Sequence, residues 1–473
     1  MALQGKTVFC MTIDGRKVSG ADTYGVVNPA TAEVFAEAPQ CSESELEDTM
    51  AAASRAFRIW QREEDPRRAA LLRAAEIIAA HADELARLVT MEQGKTLLNA
   101  TREVNGAAAR FRYTAGLDIP TDIVHDQDAV RVEVGRRPHG VVAAITPWNY
   151  PVIVAAGKIA AAVRAGNAVV LKPSPFAPLA TLRLGELLQG AFPPGVVNVI
   201  SGGDELGKSM IKHPVVRKIS FTGSTEAGKY ILAAAALDMK RVTLELGGND
   251  AAIVLDDVDP AAIAPKLFWG AFQNSGQVCT AIKRLYVHER IYRPLAQALT
   301  ELARAVRVGD GLDPASELGP VSTDPQLQRV QELVADAKTA GGRILAGGSR
   351  TGSRGYFYAP TLFEELDDTA RLVAEEQFGP VLPLLPFTDV EDAIERANAT
   401  QYGLSGSLWS GDPARARSLA GQLDCGTVWI NQHLVVVPAS PIAGHKWSGF
   451  GVENGSLGLL ELTQVQTVML PRS

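Results

Sequence analysis

A chain of 473 residues is too long to close around one hydrophobic core, so two or three domains are expected. Hydrophobic residues make up 46% and charged residues 21%, the balance of a soluble, enzyme-sized protein. A net charge of −7, from 46 basic and 53 acidic residues, argues against a nucleic-acid or anionic-membrane partner. The N-terminal stretch "MALQGKTVFCMTIDGRKVSG" lacks the apolar core of a signal peptide, and the Ala-rich run 152–163 holds Lys158, so a cytoplasmic protein is expected. Residues 44–60 and 66–93 read as two amphipathic helices. The first opens after Ser42 or Ser44; the second starts at Pro66 and stops at Gly94. A third helix is predicted over 99–116.

From about residue 130 the texture changes. "AVRVEVGRRPHG" alternates like an exposed strand, and then short apolar runs alternate with helices: "GVVAAIT", 152–165, "NAVVLKP", 178–190, "VVNVIS", 204–212, "RKISFTG", 225–236, "RVTLELGG". That alternation predicts a parallel sheet covered on both faces. A second α/β series follows from "AAIVL" to "GTVWIN", with helices over 260–274, 291–306, 325–340 and 413–421, and "ELTQVQTVMLP" ends the chain like an edge strand.

Cys10, Cys41, Cys279 and Cys425 show neither zinc-site nor CxxC spacing, so no metal and no disulfide framework is expected. Cys279 lies in "GQVCTA"; the alternatives are an inert buried thiol and a nucleophile. "ISFTGSTEAG" reads as strand, glycine turn and helix start, where N–H groups and Ser224 or Thr225 would meet a phosphate or simply cap the helix. The GxGxxG dinucleotide fingerprint is missing there; "GFGVENG" matches it but opens no βαβ unit and is set aside. Glu245, in the apolar strand "VTLELGGND", is either a general base raised by burial or the partner of an unseen cation. Asn149 of "TPWNYP" is either an oxyanion donor or a turn cap. Lys158 is either a functional ammonium or a lysine that snorkels to water.

Together "PWNYP", "LKPS", "FTGSTEAG", "LELGG", "GQVC" and "EEQFGP" resemble, in order and spacing, the aldehyde dehydrogenase superfamily, from "NPAT" at 28–31 to "SGFG" at 448–451. The resemblance implies an α/β fold of two doubly wound parallel-sheet domains plus a small β oligomerisation arm. A dinucleotide-binding domain would hold 1–120 and 137–245, a catalytic domain 246–430, and the arm and C-terminal segment 121–136 and 431–473. It implies Cys279 as nucleophile, Asn149 as oxyanion donor, Glu245 as activator of the hydrolytic water, and Lys158 near that base. NAD, or NADP, would lie against Thr146, Trp148, Lys172, Ser174, Pro175, Gly223, Ser224, Leu246, Glu376 and Phe378. The substrate tunnel would be lined by Tyr150, Val154, Gly157, Phe272, Val278, Thr280, Val436 and Ile442. A homodimer or homotetramer is implied.

Three departures matter. Pro175 stands where many NAD-preferring relatives have Glu, Asn249 where Lys is common, and "PIAGHKWSG" replaces the usual "PFGGFKxSG". The tunnel segments hold no Arg or Lys, and Gly157 and Val436 replace bulkier side chains, so an uncharged aromatic or medium-to-long-chain aldehyde is expected. The competing readings are acyl transfer to coenzyme A, which generally goes with loss of the water-activating Glu, and a non-catalytic relative, which would have lost the nucleophile; Glu245 and Cys279 are both present.

Overall fold

The computed structural model describes residues 8–62 and 64–471. Two large sheets organise the chain. In the first, the strands Val197–Val199, Ala168–Lys172, Val141–Ile145, Val216–Thr222 and Arg241–Glu245 lie side by side in that order, all parallel. Of these five parallel strands the earliest in the chain, Val141–Ile145, therefore sits in the middle; the next two extend the sheet to one side and the last two to the other. Connections that diverge in this way leave a crevice at the carboxyl ends of the central strands, where open α/β sheets bind ligands. The continuous apolar runs of Val141–Ile145 and Ala168–Lys172 follow from helices covering both faces, and those strands are buried almost throughout.

The second sheet repeats the logic. Asp250–Val254 lies near its centre, with Ile282–His288, Val381–Phe387 and Thr361–Glu364 parallel on one side and Ser405–Trp409 and Thr427–Ile430 on the other. A third, exposed sheet pairs Thr463–Pro471 with Val130–Pro138 and that strand with Asp122–Gln127, all antiparallel. The "GFGVENG" match falls on the short antiparallel strand Gly449–Phe450 and a six-residue helix, Gly455–Leu460, so it cradles no dinucleotide.

Ser42 caps the first helix, Glu43–Trp60, in a reciprocal box with Glu45. The helix expected over 66–93 is two helices, Glu64–Ala80 and Ala82–Gln93. His81 leaves helical geometry at φ −112°, its Nδ1 2.9 Å from the Ile77 carbonyl, with neither Gly nor Pro to announce the break. Gly94 does end the second one, in the left-handed region at φ 98°.

The helix Leu97–Ala115 packs along Pro151–Arg164, and a buried ion pair joins them. Lys95 Nζ donates to Glu103 Oε2 at 2.6 Å and to the Asn149 carbonyl at 2.7 Å, and it lies 3.6 Å from the centre of the Tyr150 ring. Glu103 Oε1 accepts the N–H groups of Val152 and Ile153, two of the donors left open at the start of Pro151–Arg164. Neither side chain touches water. Lys95→Met should lower stability by about 3–5 kcal/mol, because it strands a buried carboxylate. Adding Glu103→Gln to it should restore part of that loss, and thermal unfolding of the wild type, both single variants and the double variant measures the coupling.

Candidate active site

Between the helix Pro260–Phe272 and the strand Ile282–His288, three successive residues take positive φ: Asn274 at 53°, Ser275 at 55° and Gly276 at 73°. Left-handed backbone costs a residue with a Cβ about 1–2 kcal/mol. Here side chains offset it. Asn274 Nδ2 donates to the carbonyls of Asn149 and Gln277, and Ser275 Oγ to that of Gly319 at 2.7 Å. Position 276 admits only glycine, since a Cβ there would lie 2.1 Å from the Gly379 carbonyl oxygen. Buried Gln277 accepts the Ser322 N–H, and Lys283 Nζ donates to the carbonyls of Val278 and Cys279, each at 2.8 Å. This scaffold presents Cys279 to a cleft of about 500 Å³. Burial pushes the Cys279 thiol up to about 12; Lys283 opposes the shift, and the carboxylates of Asp250, Glu245 and Glu376 add to it.

Asn149 and Glu245 border the same cleft from the first sheet. Asn149 follows the central strand Val141–Ile145 and donates one Nδ2 N–H to the Gln277 carbonyl at 2.9 Å; the other is uncommitted among the described residues. Glu245 ends its strand 8% exposed, with Oε1 lacking a hydrogen bond among the described residues. Burial raises its carboxyl well above the usual range, Glu453 raises it further and Lys158 opposes both. Lys158 does not snorkel: it is buried, and its Nζ donates to Ser220 Oγ at 2.9 Å and to Glu453 Oε1. It borders a small cavity beside the cleft rather than the cleft itself, and Glu453 lines both.

The expected cofactor residues gather along the carboxyl ends of the parallel strands. Trp148, Gly223, Ser224, Leu246, Glu376 and Phe378 line the cleft; Thr146, Lys172, Ser174 and Pro175 are not part of its wall and lie at or just after the ends of the neighbouring strands Val141–Ile145 and Ala168–Lys172. Ser224 caps the helix Thr225–Ala236, accepting the Ala227 N–H at 3.3 Å, so the capping alternative is realised at the mouth of the cleft. Lys172 is 3% exposed; its Nζ has a single described acceptor, the Pro173 carbonyl at 3.3 Å, and burial lowers its pKa to about 8. The hydroxyls of Thr146 and Thr222 are buried without a described hydrogen bond. Glu376 Oε1 accepts the Gly248 N–H at 3.0 Å, and the Phe378 ring meets Trp148 edge-on with centroids 5.3 Å apart. Unpartnered hydroxyls, a buried ammonium short of acceptors, a helix N-terminus and a carboxylate along one crevice fit the sugars and phosphates of a dinucleotide.

Of the expected tunnel residues, Tyr150, Val154, Gly157, Val278, Thr280, Val436 and Ile442 line the cleft. Phe272 does not. It is fully buried in the core beneath the second sheet, 4.8 Å from Phe268, because it ends its helix on the inward face. The next residue, Gln273, faces the cleft and donates to Tyr150 Oη at 3.3 Å.

Several cleft residues escape the motif reading: Glu453, Arg110, Gln326 and Arg329. So do two residues behind the nucleophile loop: Lys283, on the carbonyls of Val278 and Cys279, and buried His433, whose Nε2–H donates to the Thr280 carbonyl and whose Nδ1 accepts from Ser407 Oγ. One signal was available for Arg110. On Leu97–Ala115 it follows buried Glu103 and Ala107 at helical spacing, a cation on the inward stripe.

The chain matches the aldehyde dehydrogenase family over residues 17–468. Phenylacetaldehyde dehydrogenase of Pseudomonas fluorescens is 38% identical, the match covering 97% of this chain and 95% of that protein. Retinaldehyde dehydrogenase 3 of Rattus norvegicus is 38% identical over 94% of this chain and 89% of its own. Among solved structures, the NAD+ complex of an aldehyde dehydrogenase from Bacillus cereus superposes with a TM-score of 0.96 at 35% identity, covering 99% of this chain and 97% of that one. With a dinucleotide crevice and a cysteine-bearing cleft in one fold, the chain belongs to the aldehyde dehydrogenase family and is an NAD(P)-dependent oxidoreductase of aldehydes.

Proposed function

We propose that the protein oxidises a medium-to-large aldehyde to its carboxylic acid by covalent catalysis at Cys279, with hydrolysis rather than acyl transfer closing the cycle. The observation that carries this reading is the shared cleft of Cys279, Asn149 and Glu245, walled by Ile153, Val154, Val278, Leu434, Val436 and Ile442. The Cys279 thiol passes its proton through the open cleft to solvent, Sγ as thiolate bonds to the aldehyde carbon, and the carbonyl electron pair moves onto oxygen. The uncommitted Asn149 N–H receives that oxyanion, a type of contact worth about 100-fold or more in rate. Bound NAD(P)+ supplies the acceptor for the hydride that leaves the carbon. Glu245 then takes a proton from the water that attacks the thioester, and the thiolate departs. A carboxyl raised by burial is the stronger base for this task. Lys158 and Glu453, bonded to each other beside Glu245, are placed to share the proton's charge.

Lys172, Glu376 and the N-terminus of Thr225–Ala236 would hold the cofactor, with Thr146, Trp148, Ser174, Pro175, Gly223, Ser224, Leu246 and Phe378 around it. Apolar walls favour aromatic or long-chain aldehydes over acetaldehyde, with graded selectivity of about 0.8 kcal/mol per buried methylene. The exposed sheet carries Ile123, Val124, Val465 and Met469 on its surface, which supports burial of that arm in a homodimer or homotetramer. Among the described residues no helix is long and apolar enough to cross a membrane, in keeping with a cytoplasmic site of action.

Cys279→Ser should abolish aldehyde oxidation while cofactor binding, followed by fluorescence titration, persists; wild-type-like turnover would remove Cys279 from the nucleophile's role. Glu245→Gln should release one equivalent of NADH per site and then stall, read at 340 nm by stopped flow, whereas an unchanged steady-state rate would refute the assignment. Pro175 has no carboxylate to repel a 2′-phosphate, so NAD and NADP should differ less in kcat/KM than in relatives with Glu there. A preference for NAD of about 1000-fold, roughly 4 kcal/mol, would mean that another residue selects.

A further inference from the structure

Arg110 reaches the cleft from the helix Leu97–Ala115, outside the segments that frame the turn at Asn149 and the nucleophile. Its room is made by Gly157: a Cβ there would already touch the guanidinium, at 3.5 Å from Nη1 and 3.6 Å from Cδ. A larger side chain at position 157 would claim the space that the guanidinium occupies. The guanidinium is held from the far side by Asn454, whose Oδ1 accepts from Nη1. Asn454 has φ 63° and ψ 167°, a conformation all but reserved for glycine, and such strain gathers where a side chain must be aimed.

Of the five N–H donors of the guanidinium, Asn454 takes the one described. Glu453 acts on Arg110 through space, and its Oε1 is already bonded to Lys158 and Ser220. Arg110 lines both the small cavity that holds Lys158 and the cleft, whose other walls are mostly apolar, and in such a cleft a planar fork with donors to spare discriminates strongly between oxygen and carbon.

We propose that Arg110, aimed by Asn454 and accommodated by Gly157, determines specificity by receiving a hydrogen-bond-accepting oxygen, of a carbonyl or a carboxylate, at the end of the substrate remote from the aldehyde. The proposal rests on the aldehyde-oxidising cleft described above. It replaces the expectation of a wholly uncharged substrate, which considered only the segments around Asn149, Cys279 and "PIAGHKWSG".

Three aldehydes that differ only at the far end test it: 6-methylheptanal, 6-oxoheptanal and 6-oxohexanoate, with homologues two methylenes longer to vary the reach. The methylene chain insulates the reacting carbon from the terminal group. In the wild type, at one of the two lengths, kcat/KM for the ketone or the carboxylate should exceed that of the branched hydrocarbon by about tenfold, equivalent to about 1.4 kcal/mol. Arg110→Met should bring that ratio near one, and Arg110→Lys should keep a preference only if the carboxylate is the favoured end. Should Arg110→Met not fold, Gly157→Trp, which crowds the guanidinium, should lower the same ratio. A hydrocarbon that does as well at both lengths in the wild type, or a preference that survives Arg110→Met, overturns the proposal. NADH from none of the aldehydes would instead strike the aldehyde-oxidising reading itself.

Discussion

The turn at Asn149 and the start of the helix Pro151–Arg164 hang on Lys95 and Glu103, two opposite charges sealed from water. The ammonium fixes the carbonyl of Asn149 and the ring of Tyr150, while the carboxylate closes the open N–H groups of Val152 and Ile153. One pair thus sets the turn that carries Asn149 and the start of the helix that carries Val154, Gly157 and Lys158. A buried ion pair is weak evidence for net stability, since desolvation offsets most of its attraction. Its contribution here is positional. It also orients Leu97–Ala115, and with it the inward aim of Arg110.

The cleft is a competition between burial and charge. Arg110 on its wall, and Lys283 and Lys158 outside it, supply positive charge; Glu245, Glu376 and Glu453 on the wall, and Asp250 outside it, supply negative. Burial wins at the reacting groups, raising both the thiol and Glu245. Thiol and carboxyl then disfavour each other's ionised form, which suits a cycle in which the nucleophile and the base act in separate steps. Lys283 limits the cost to the thiol by lying under the two carbonyls of its loop.

Legibility in the sequence followed how local the cause was. The parallel strands were plain because burial on both faces makes each an unbroken apolar run, as in Val141–Ile145 and Ala168–Lys172. That Cys279, Asn149 and Glu245 would meet is legible because each sits at a strand end or tight turn whose neighbours are constrained too, and the three do line one cleft. The break at His81 was not, for the apolar spacing runs on across it. Phe272 was misplaced because adjacency to the nucleophile loop says nothing of which way a helix-end side chain points. Glu453 and Arg110 stay hidden because their placement arises from contacts across 295 and 344 residues, Glu453 with Lys158 and Arg110 with Asn454, and no window of sequence holds both partners.

The contact of Gly276 with the carbonyl of Gly379 joins the nucleophile loop to the segment that bears Glu376 and Phe378, backbone against backbone. The spacing between the thiol and the carboxylate across the cleft is therefore a main-chain dimension, and side-chain volumes in the core scarcely enter it. A side chain at position 276 would force the two segments apart, and the interval between thiol and carboxylate would widen with them.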